Sequence, residues 1–287
     1  MYQTKEIMEQ KKVWFVTGAS KGFGLSIVKQ LLAKGLPVAA TSRSIDALSK
    51  AVGSDGNFLP LSMDLTSENS VAAAVDATVK KFGRIDVVVN NAGYGLLGAL
   101  EELTDEESRE NFNVNVFGVL NVIRKVLPYL RKQGSGHIIN ISSIAGLAGN
   151  FPGFGIYCAT KFALDGLSEA LAEEVKPLGI HTTIVGPGYF RTNFLTNDSL
   201  ITPKNVIEEY RNVREAQHAH QHSFNGNQPG DPEKGAAAII RIAEEQQPPL
   251  RLFLGEDAYN LAYGKIEALK SELEKWKDVT ISTAIEA

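Results

Sequence analysis

A tyrosine and a lysine, Tyr157 and Lys161, lie four residues apart in the segment YCATK. Residues with this spacing project from one face of an α-helix, so the lysine can approach the phenol without distortion. A phenol has a pKa of about 10 and keeps its proton at neutral pH, while a nearby ammonium favours the phenolate and lowers that pKa. The pair is therefore suited to giving a proton to a substrate oxygen and taking it back. An isolated pair of this kind is usually a solvated helix face, so its surroundings must decide.

A glycine-rich turn, TGASKGFG, follows the short apolar run VWFV and precedes a segment with helical periodicity. Gly18, Gly22 and Gly24 permit positive φ angles and close approach of a pyrophosphate, and the free N–H groups at the helix start favour an anion. The spacing G-x-x-x-G-x-G differs from the commoner G-x-G-x-x-G, and glycines alone are a weak signal. The strand, turn and helix together predict a nucleotide site.

Two cations indicate which nucleotide binds there. The second predicted strand ends in Thr41-Ser42-Arg43, where an acidic residue would hold the ribose hydroxyl of NAD, and no acidic residue follows before Asp46. Arg43 offers a planar fork suited to a phosphate, and Lys21 lies within the glycine-rich turn. We therefore expect NADP(H) to be preferred over NAD(H). The alternative is that both cations are ordinary solvated surface charges.

Strand-like and helix-like segments alternate along the chain, which predicts a single-domain α/β fold with a Rossmann-like, doubly wound parallel sheet and helices on both faces. About seven strands are expected, at 13–16, 37–42, 57–65, 85–91, 137–143, 180–188 and 251–255. Thr104 and Glu107 form a capping box that opens a helix to about Lys132. A further helix is expected from Gly155 to Lys176, and Asp231-Pro232 should start another.

The chain is expected to divide into a flexible N-terminal tail at 1–11 and one catalytic domain at 12–287. Within that domain, 188–230 is predicted to be a substrate-binding flap with its own short helix, and 256–280 a C-terminal helical extension. The segment HAHQH in the flap contains His218, His220 and His222. These would not share one face of a regular helix, and no carboxylate lies close by, so we expect a solvated segment and no metal.

Composition narrows the possible functions. The chain has 287 residues, 44% of them hydrophobic, which is enough for a large core. The net charge of −4 gives no basic excess, so no nucleic-acid partner is expected. The sequence contains no run of eighteen apolar residues, so no membrane-spanning helix is expected. The single cysteine, Cys158, excludes an internal disulfide and fits a cytoplasmic location.

With these motifs in order, the chain resembles the short-chain dehydrogenase/reductase family, specifically its NADP-preferring ketoreductase or carbonyl reductase type. The resemblance runs from about Lys12 to Thr192. It rests on TGASKGFG, MDL, NNAG, NVNVFG, ISSIAG, YCATK and GPGYFRT.

The resemblance implies a catalytic set of Asn115, Ser143, Tyr157 and Lys161. Ser143 would hydrogen-bond the substrate oxygen, Asn115 would hold a water linked to Lys161, and Lys161 would also contact the nicotinamide ribose. Ser143 lies fourteen residues before Tyr157, where the family often has thirteen, and Ser142 is the alternative. The implied cofactor-binding residues are Gly18, Ser20, Lys21, Gly22, Phe23, Gly24, Arg43, Asp64, Leu65, Asn91, Ala92, Gly93, Tyr157, Lys161, Pro187, Gly188 and Thr192. Asn90 would join them in the wall near the adenosine.

Aromatic residues around the predicted tyrosine favour a hydrophobic carbonyl substrate. The expected substrate-binding residues are Ser143, Phe151, Phe154, Tyr157, Tyr189 and Phe194. The leading hypothesis is NADPH-dependent reduction of a ketone or aldehyde, reversible as alcohol oxidation. The alternatives are a non-catalytic NADP-binding sensor on the same fold and a sugar-nucleotide epimerase or dehydratase. Family members commonly pair the helices after Thr104 and Gly155 between subunits, so a homodimer or homotetramer is expected.

Overall fold

The computed structural model describes residues 11–196 and 198–285. The predicted flexible tail therefore lies, apart from Lys11, outside the described residues. In the described part of the chain, the strands are β1 (Trp14–Val16), β2 (Val38–Ser42), β3 (Phe58–Ser62), β4 (Val87–Asn90), β5 (Gly95–Leu96), β6 (Gly136–Ile141), β7 (Ile180–Pro187), β8 (Leu200–Ile201) and β9 (Arg251–Leu254). Seven of them form one parallel sheet in the order β3-β2-β1-β4-β6-β7-β9, and β5 and β8 form a separate parallel pair.

Helices cover both faces of the large sheet. They are α1 (Gly22–Ala33), α2 (Ile45–Val52), α3 (Glu68–Phe82), α4 (Asp105–Phe112), α5 (Val119–Gln133), α6 (Gly155–Val175), α7 (Arg211–His218), α8 (Pro232–Ile242), α9 (Glu256–Lys275) and α10 (Lys277–Ile281). Among the described residues, no helix is both long enough and apolar enough to cross a bilayer.

The period-two alternation of β1 divides the core between the two faces of the sheet. Trp14 and Val16 pack with residues of α1 and α8 on one face. Phe15, between them, packs on the other face with residues of α3, α5 and α6. Because both faces are covered, the central strands read as continuous apolar runs, which is why the sequence predicts a buried parallel sheet.

Helix starts follow the side-chain chemistry of the sequence. The predicted capping box is present, since the Thr104 hydroxyl accepts from the Glu107 N–H and the Glu107 carboxylate accepts from the Thr104 N–H. Asp231 caps α8, and Pro232 occupies its first turn. Each side chain satisfies N–H groups that the helix leaves without partners.

The expected single helix from Thr104 to about Lys132 is instead interrupted. Residues Asn113–Gly118 form a π-helical turn between α4 and α5, and a second π turn, Ala219–Phe224, follows α7. Such turns insert one extra residue into the helical path and occur frequently at functional sites. The first of them carries Asn115.

Candidate active site

A large cleft of about 1280 Å³ crosses the carboxyl ends of the central strands. It begins at the turn between β1 and α1 and reaches the segment after β7. The order of the strands reverses between β1 and β4, and open α/β sheets bind ligands in the crevice at such a point.

The glycine-rich turn is shaped by backbone requirements. Gly18 and Gly22 have φ angles of 65° and 59°, which glycine adopts without strain. Asn91 holds the turn from behind, because its amide donates to the carbonyl oxygens of Thr17 and Gly18 at 3.0 and 2.9 Å. A Cβ on Gly24 would lie 2.6 Å from the Asn91 amide nitrogen and from the Gly18 oxygen. Gly24 therefore serves close packing of the turn and does not line the cleft.

Two cations face the cleft near the end of β2. Arg43 is exposed, and among the described residues none hydrogen-bonds or ion-pairs with its guanidinium, so the group is available to an anion. Lys21 lines the same cleft from within the glycine-rich turn. The Asp64 carboxylate, nearby, accepts from the N–H and hydroxyl of Thr66 at 2.9 and 2.8 Å.

The structure brings nearly all the predicted site residues to this cleft. Gly24 and Asn115 are the two exceptions, and Asn90 is also absent from the wall because it is buried and bonded to Asn140 at 2.8 Å. The residues that line the cleft are Gly18, Ser20, Lys21, Gly22, Phe23, Arg43, Asp64, Leu65, Asn91, Ala92, Gly93, Ser143, Phe151, Phe154, Tyr157, Lys161, Pro187, Gly188, Tyr189, Thr192 and Phe194.

Ser143, Tyr157 and Lys161 meet in the middle of the cleft. Helix α6 places Tyr157 and Lys161 on one face, with the Lys161 ammonium 5.7 Å from the centre of the Tyr157 ring. The ammonium donates to the Ile141 carbonyl oxygen at 3.0 Å. Burial lowers the pKa of Lys161 to about 8, although the negative charge of Asp165 partly opposes this.

One expectation is reversed. Burial raises the pKa of Tyr157, and a hydrogen bond with the Ser143 side chain offsets only part of this rise. The predicted lowering by a nearby ammonium does not prevail because a buried phenolate loses its hydration. The phenol is thus held in its protonated form.

Ser143, and not Ser142, faces the phenol. The Ser142 hydroxyl donates instead to the buried carboxylate of Asp165, which also accepts from Arg251 of β9 at 2.6 Å. Asp165 lies one helical turn beyond Lys161, and sequence reasoning missed it. Its spacing on the face of α6 that carries Tyr157 and Lys161 was the available signal.

Asn115 supports the site from behind the cleft wall. Its side-chain oxygen accepts from the Tyr94 N–H at 3.0 Å, and its amide donates to the Tyr94 carbonyl oxygen at 2.9 Å and to the Thr160 hydroxyl at 3.2 Å. The π turn aims the side chain at this loop. Asn115 thereby fixes the segment that contains Gly93, beside Lys161.

The histidine-rich segment is not wholly solvated, contrary to expectation. His220 is buried and lines the cleft, whereas His218 and His222 are exposed. The Nδ1 atom of His220 lies 2.7 Å from the Ala216 carbonyl oxygen, so Nδ1 carries the proton. The Nε2 atom of His220 accepts from the Tyr189 hydroxyl at 2.9 Å. Burial lowers the pKa of His220, so the ring is neutral. No local pattern of the sequence marks His220 for burial, because its ring packs against Phe154 of a distant segment.

The wall around Tyr157 is aromatic. The ring of Phe154 lies 6.0 Å from that of Tyr157 and 4.9 Å from that of His220, and Phe194 lies 5.7 Å from Tyr157. Within the described residues, no group of three or more histidine, cysteine or acidic side chains is arranged to hold a metal. The cleft thus has two different ends. The end at the glycine-rich turn is polar and suited to a nucleotide, and the end at the aromatic wall is apolar.

Comparison with known proteins agrees with this arrangement. Residues 12–200 match the short chain dehydrogenase family, and the chain belongs to that family. A 3-ketodihydrosphingosine reductase from Bacteroides thetaiotaomicron is 40% identical over 248 residues, which cover 86% of this chain and 88% of the relative.

Two solved structures extend the comparison. A short-chain dehydrogenase from Streptomyces avermitilis is 39% identical with a TM-score of 0.87, covering 96% of this chain and all of the other. An alcohol dehydrogenase from the archaeon Thermococcus sibiricus, complexed with 5-hydroxy-NADP, is 28% identical with a TM-score of 0.68, covering 85% of this chain and 96% of the other. The protein is thus an oxidoreductase of alcohol or carbonyl groups that uses a nicotinamide cofactor.

Proposed function

We propose that this protein reduces a ketone or aldehyde with a hydrophobic body to the alcohol, using NADPH, and that it catalyses the reverse oxidation. The observation that carries the proposal is the convergence of Ser143, Tyr157 and Lys161 in one cleft with the glycine-rich turn. A binding protein on the same fold would have no need of a serine, a buried tyrosine and a buried lysine in one cleft with an apolar wall.

NADPH fits the polar end of the cleft. Gly18 and Gly22 form a turn to which a pyrophosphate can come close, and the N-terminus of α1 favours its charge. Arg43 and Lys21 would hold the phosphate that distinguishes NADPH from NADH. Asp64, Asn91 to Gly93, Pro187, Gly188 and Thr192 would line the remainder of the nucleotide site. When bound, the cofactor supplies the hydride that the substrate carbon accepts.

The protein supplies the proton. Tyr157 is held protonated by burial, so it can donate to the substrate oxygen as negative charge develops there. Ser143 would hydrogen-bond the same oxygen. Lys161 has a pKa of about 8, so it is largely charged at neutral pH and favours the phenolate that remains after donation.

The apolar end defines the substrate class. Phe151, Phe154 and Phe194 offer an aromatic surface, and the hydroxyl of Tyr189 already donates to His220. A flexible segment at 188–230 would cover this surface as the substrate-binding flap. Because a relative 40% identical is a 3-ketodihydrosphingosine reductase, long-chain ketones belong among the substrates to test.

The test follows NADPH oxidation at 340 nm with a panel of aryl, cyclic and long-chain ketones, alongside NADH. We expect turnover with at least one hydrophobic ketone and a higher kcat/KM with NADPH. A nucleotide sensor would be favoured if the protein bound NADPH tightly but neither reduced any of the ketones nor oxidised any alcohol in the reverse direction. Equal use of NADH would refute the cofactor preference while leaving the reductase proposal standing.

A further inference from the structure

Helix α9 packs against the rest of the protein only at its N-terminal end. Its first two turns pack through Ala258 and Ala262, which are buried near Ile144. From residue 263 to residue 285, every described residue is exposed. The helix is 20 residues long, so more than half of its length has no packing partner in this chain.

The unpacked part carries an apolar stripe on the face that is buried earlier in the helix. Ile266, Leu269, Leu273 and Trp276 are 52, 49, 58 and 57% exposed. Together with Ala262, they are spaced 4, 3, 4 and 3 residues apart, which is the seam of a two-helix coiled coil. If α9 packed only against its own chain, its apolar residues would face the core of that chain, and the stripe would not continue along the exposed part of the helix.

The charges beside the stripe favour a protein partner over a membrane. Residues 256–278 contain six carboxylates and four lysines, so the segment is net acidic. Helices that lie on membranes are typically rich in Lys and Arg on their polar face. Lys265 and Glu272 flank the stripe along one edge, one at each end.

We propose that α9 pairs antiparallel with α9 of a second copy of this chain. With Ile266 opposite Leu269 of the second copy, Lys265 faces Glu272 of that copy, and the two-fold axis repeats this ion pair. A parallel pairing would instead place Lys265 beside Lys270 of the second copy, and these charges repel. The parallel partner of Glu272 would be Lys277, which lies beyond the end of α9 at Lys275. Within α9, the stripe and its flanking charges are therefore self-complementary in the antiparallel arrangement.

Reversal of the flanking charges tests both the pairing and its direction. The assembly mass of the full chain is measured by analytical ultracentrifugation over a range of concentrations. We expect Lys265→Glu and Glu272→Lys each to weaken association at least fivefold and the double variant to restore it. Stronger association of Lys265→Glu would overturn the antiparallel arrangement, because only a parallel pair gains attraction from that change.

A second pair of variants keeps the proposal testable if charge effects are small. Leu269→Glu, in the middle of the stripe, should halve the assembly mass, whereas Ser271→Glu, on the opposite face, should leave it unchanged. Both residues are exposed, so neither change should impair folding, and circular dichroism checks this. An unchanged mass for Leu269→Glu would refute the proposal. Co-flotation of the wild type with phosphatidylcholine–phosphatidylserine vesicles, lost in Leu269→Glu without any change in mass, would assign the stripe to a membrane and refute it equally.

Discussion

At the scale of single residues, burial keeps the proton on the phenol of Tyr157. Burial raises the pKa of the phenol, and the Ser143 hydrogen bond offsets only part of the rise. A protonated phenol suits reduction, in which the substrate oxygen must gain a proton. In the proposed reverse reaction, oxidation of an alcohol would require the phenolate, which the positive charge of Lys161 would favour.

Tyr157→Phe tests this role directly. The change removes the donated proton and little else, because the ring remains packed against Phe154 and Phe194. We expect kcat to fall at least a hundredfold, in keeping with general acid catalysis, and the Kd for NADPH to change little. Tyr129→Phe, which removes a hydroxyl outside the cleft, is the control and should keep full activity. Retained turnover in Tyr157→Phe would show that another group supplies the proton.

Arg43 is the second residue with a measurable role. Arg43→Asp replaces an exposed cation in the cleft with a charge that repels a phosphate. Loss of charge-assisted hydrogen bonds of about 1.5–3 kcal/mol predicts that kcat/KM for NADPH falls about ten- to a hundredfold while NADH is used better. Arg131→Asp alters an exposed arginine outside the cleft and should leave the ratio unchanged. An unaltered cofactor preference in Arg43→Asp would contradict its assignment.

At the scale of elements, a buried histidine joins β6 to β7. The Thr183 hydroxyl donates to the Pro249 carbonyl oxygen at 2.6 Å, so it accepts from Nε2 of His137 at 2.8 Å. Nε2 of His137 therefore carries a proton. Burial, followed by the nearby His181 and Lys12, lowers the pKa of His137 to about 3.

This pKa predicts a loss of stability in acid. Below about pH 6.5, the unfolded chain binds a proton at His137 that the folded chain refuses, so the free energy of unfolding falls as pH decreases towards about 3. The slope for this one group is at most about 1.4 kcal/mol per pH unit. Urea unfolding between pH 7 and 4 should show a shallower fall for His137→Gln than for the wild type. His222→Gln, at an exposed histidine that does not contribute to the lowered pKa of His137, should keep the wild-type slope, and an equal effect of both changes would argue against His137.

The elements also show what a sequence can predict. The central strands β1 and β4 are apolar runs next to turn residues, and the predicted caps of α4 and α8 are present, so these parts of the fold follow from local patterns. The π turn at Asn113–Gly118 could not be read in this way, since its shifted hydrogen bonds depend on a contact between Asn115 and the distant Tyr94. His220 was misjudged for a related reason, because its burial depends on packing against Phe154.

At the scale of the whole molecule, a buried ion pair fastens the segment after β7 to the body. Glu102 lies before α4 and is fully buried, and its carboxylate accepts from Arg214 of α7 and from the Ile207 N–H. The pairing of β5 with β8 provides a second attachment. Neither was evident from the sequence, because both join residues about a hundred positions apart.

Arg214→Met should release this attachment. Removal of one partner leaves the Glu102 carboxylate buried without its counter-charge, which costs about 3–5 kcal/mol. We expect faster cleavage of 190–230 by chymotrypsin and a higher KM for the ketone, with the Kd for NADPH nearly unchanged. Arg211→Met, exposed in the same helix, is the matched control. An equal rise in KM and in the Kd for NADPH would indicate general unfolding instead.

Cys158 gives the protein a built-in reporter of how firmly the segment after β7 is held. It is the single thiol of the chain, buried beside Tyr157, and burial raises its pKa to about 11. Thiol reagents attack the thiolate, so the residue is shielded while the aromatic wall stays closed. The rate at which unmodified wild-type protein takes up such a reagent therefore measures how often the wall opens. A ketone that seats against Phe154 and Phe194 should slow that labelling, without any engineered probe.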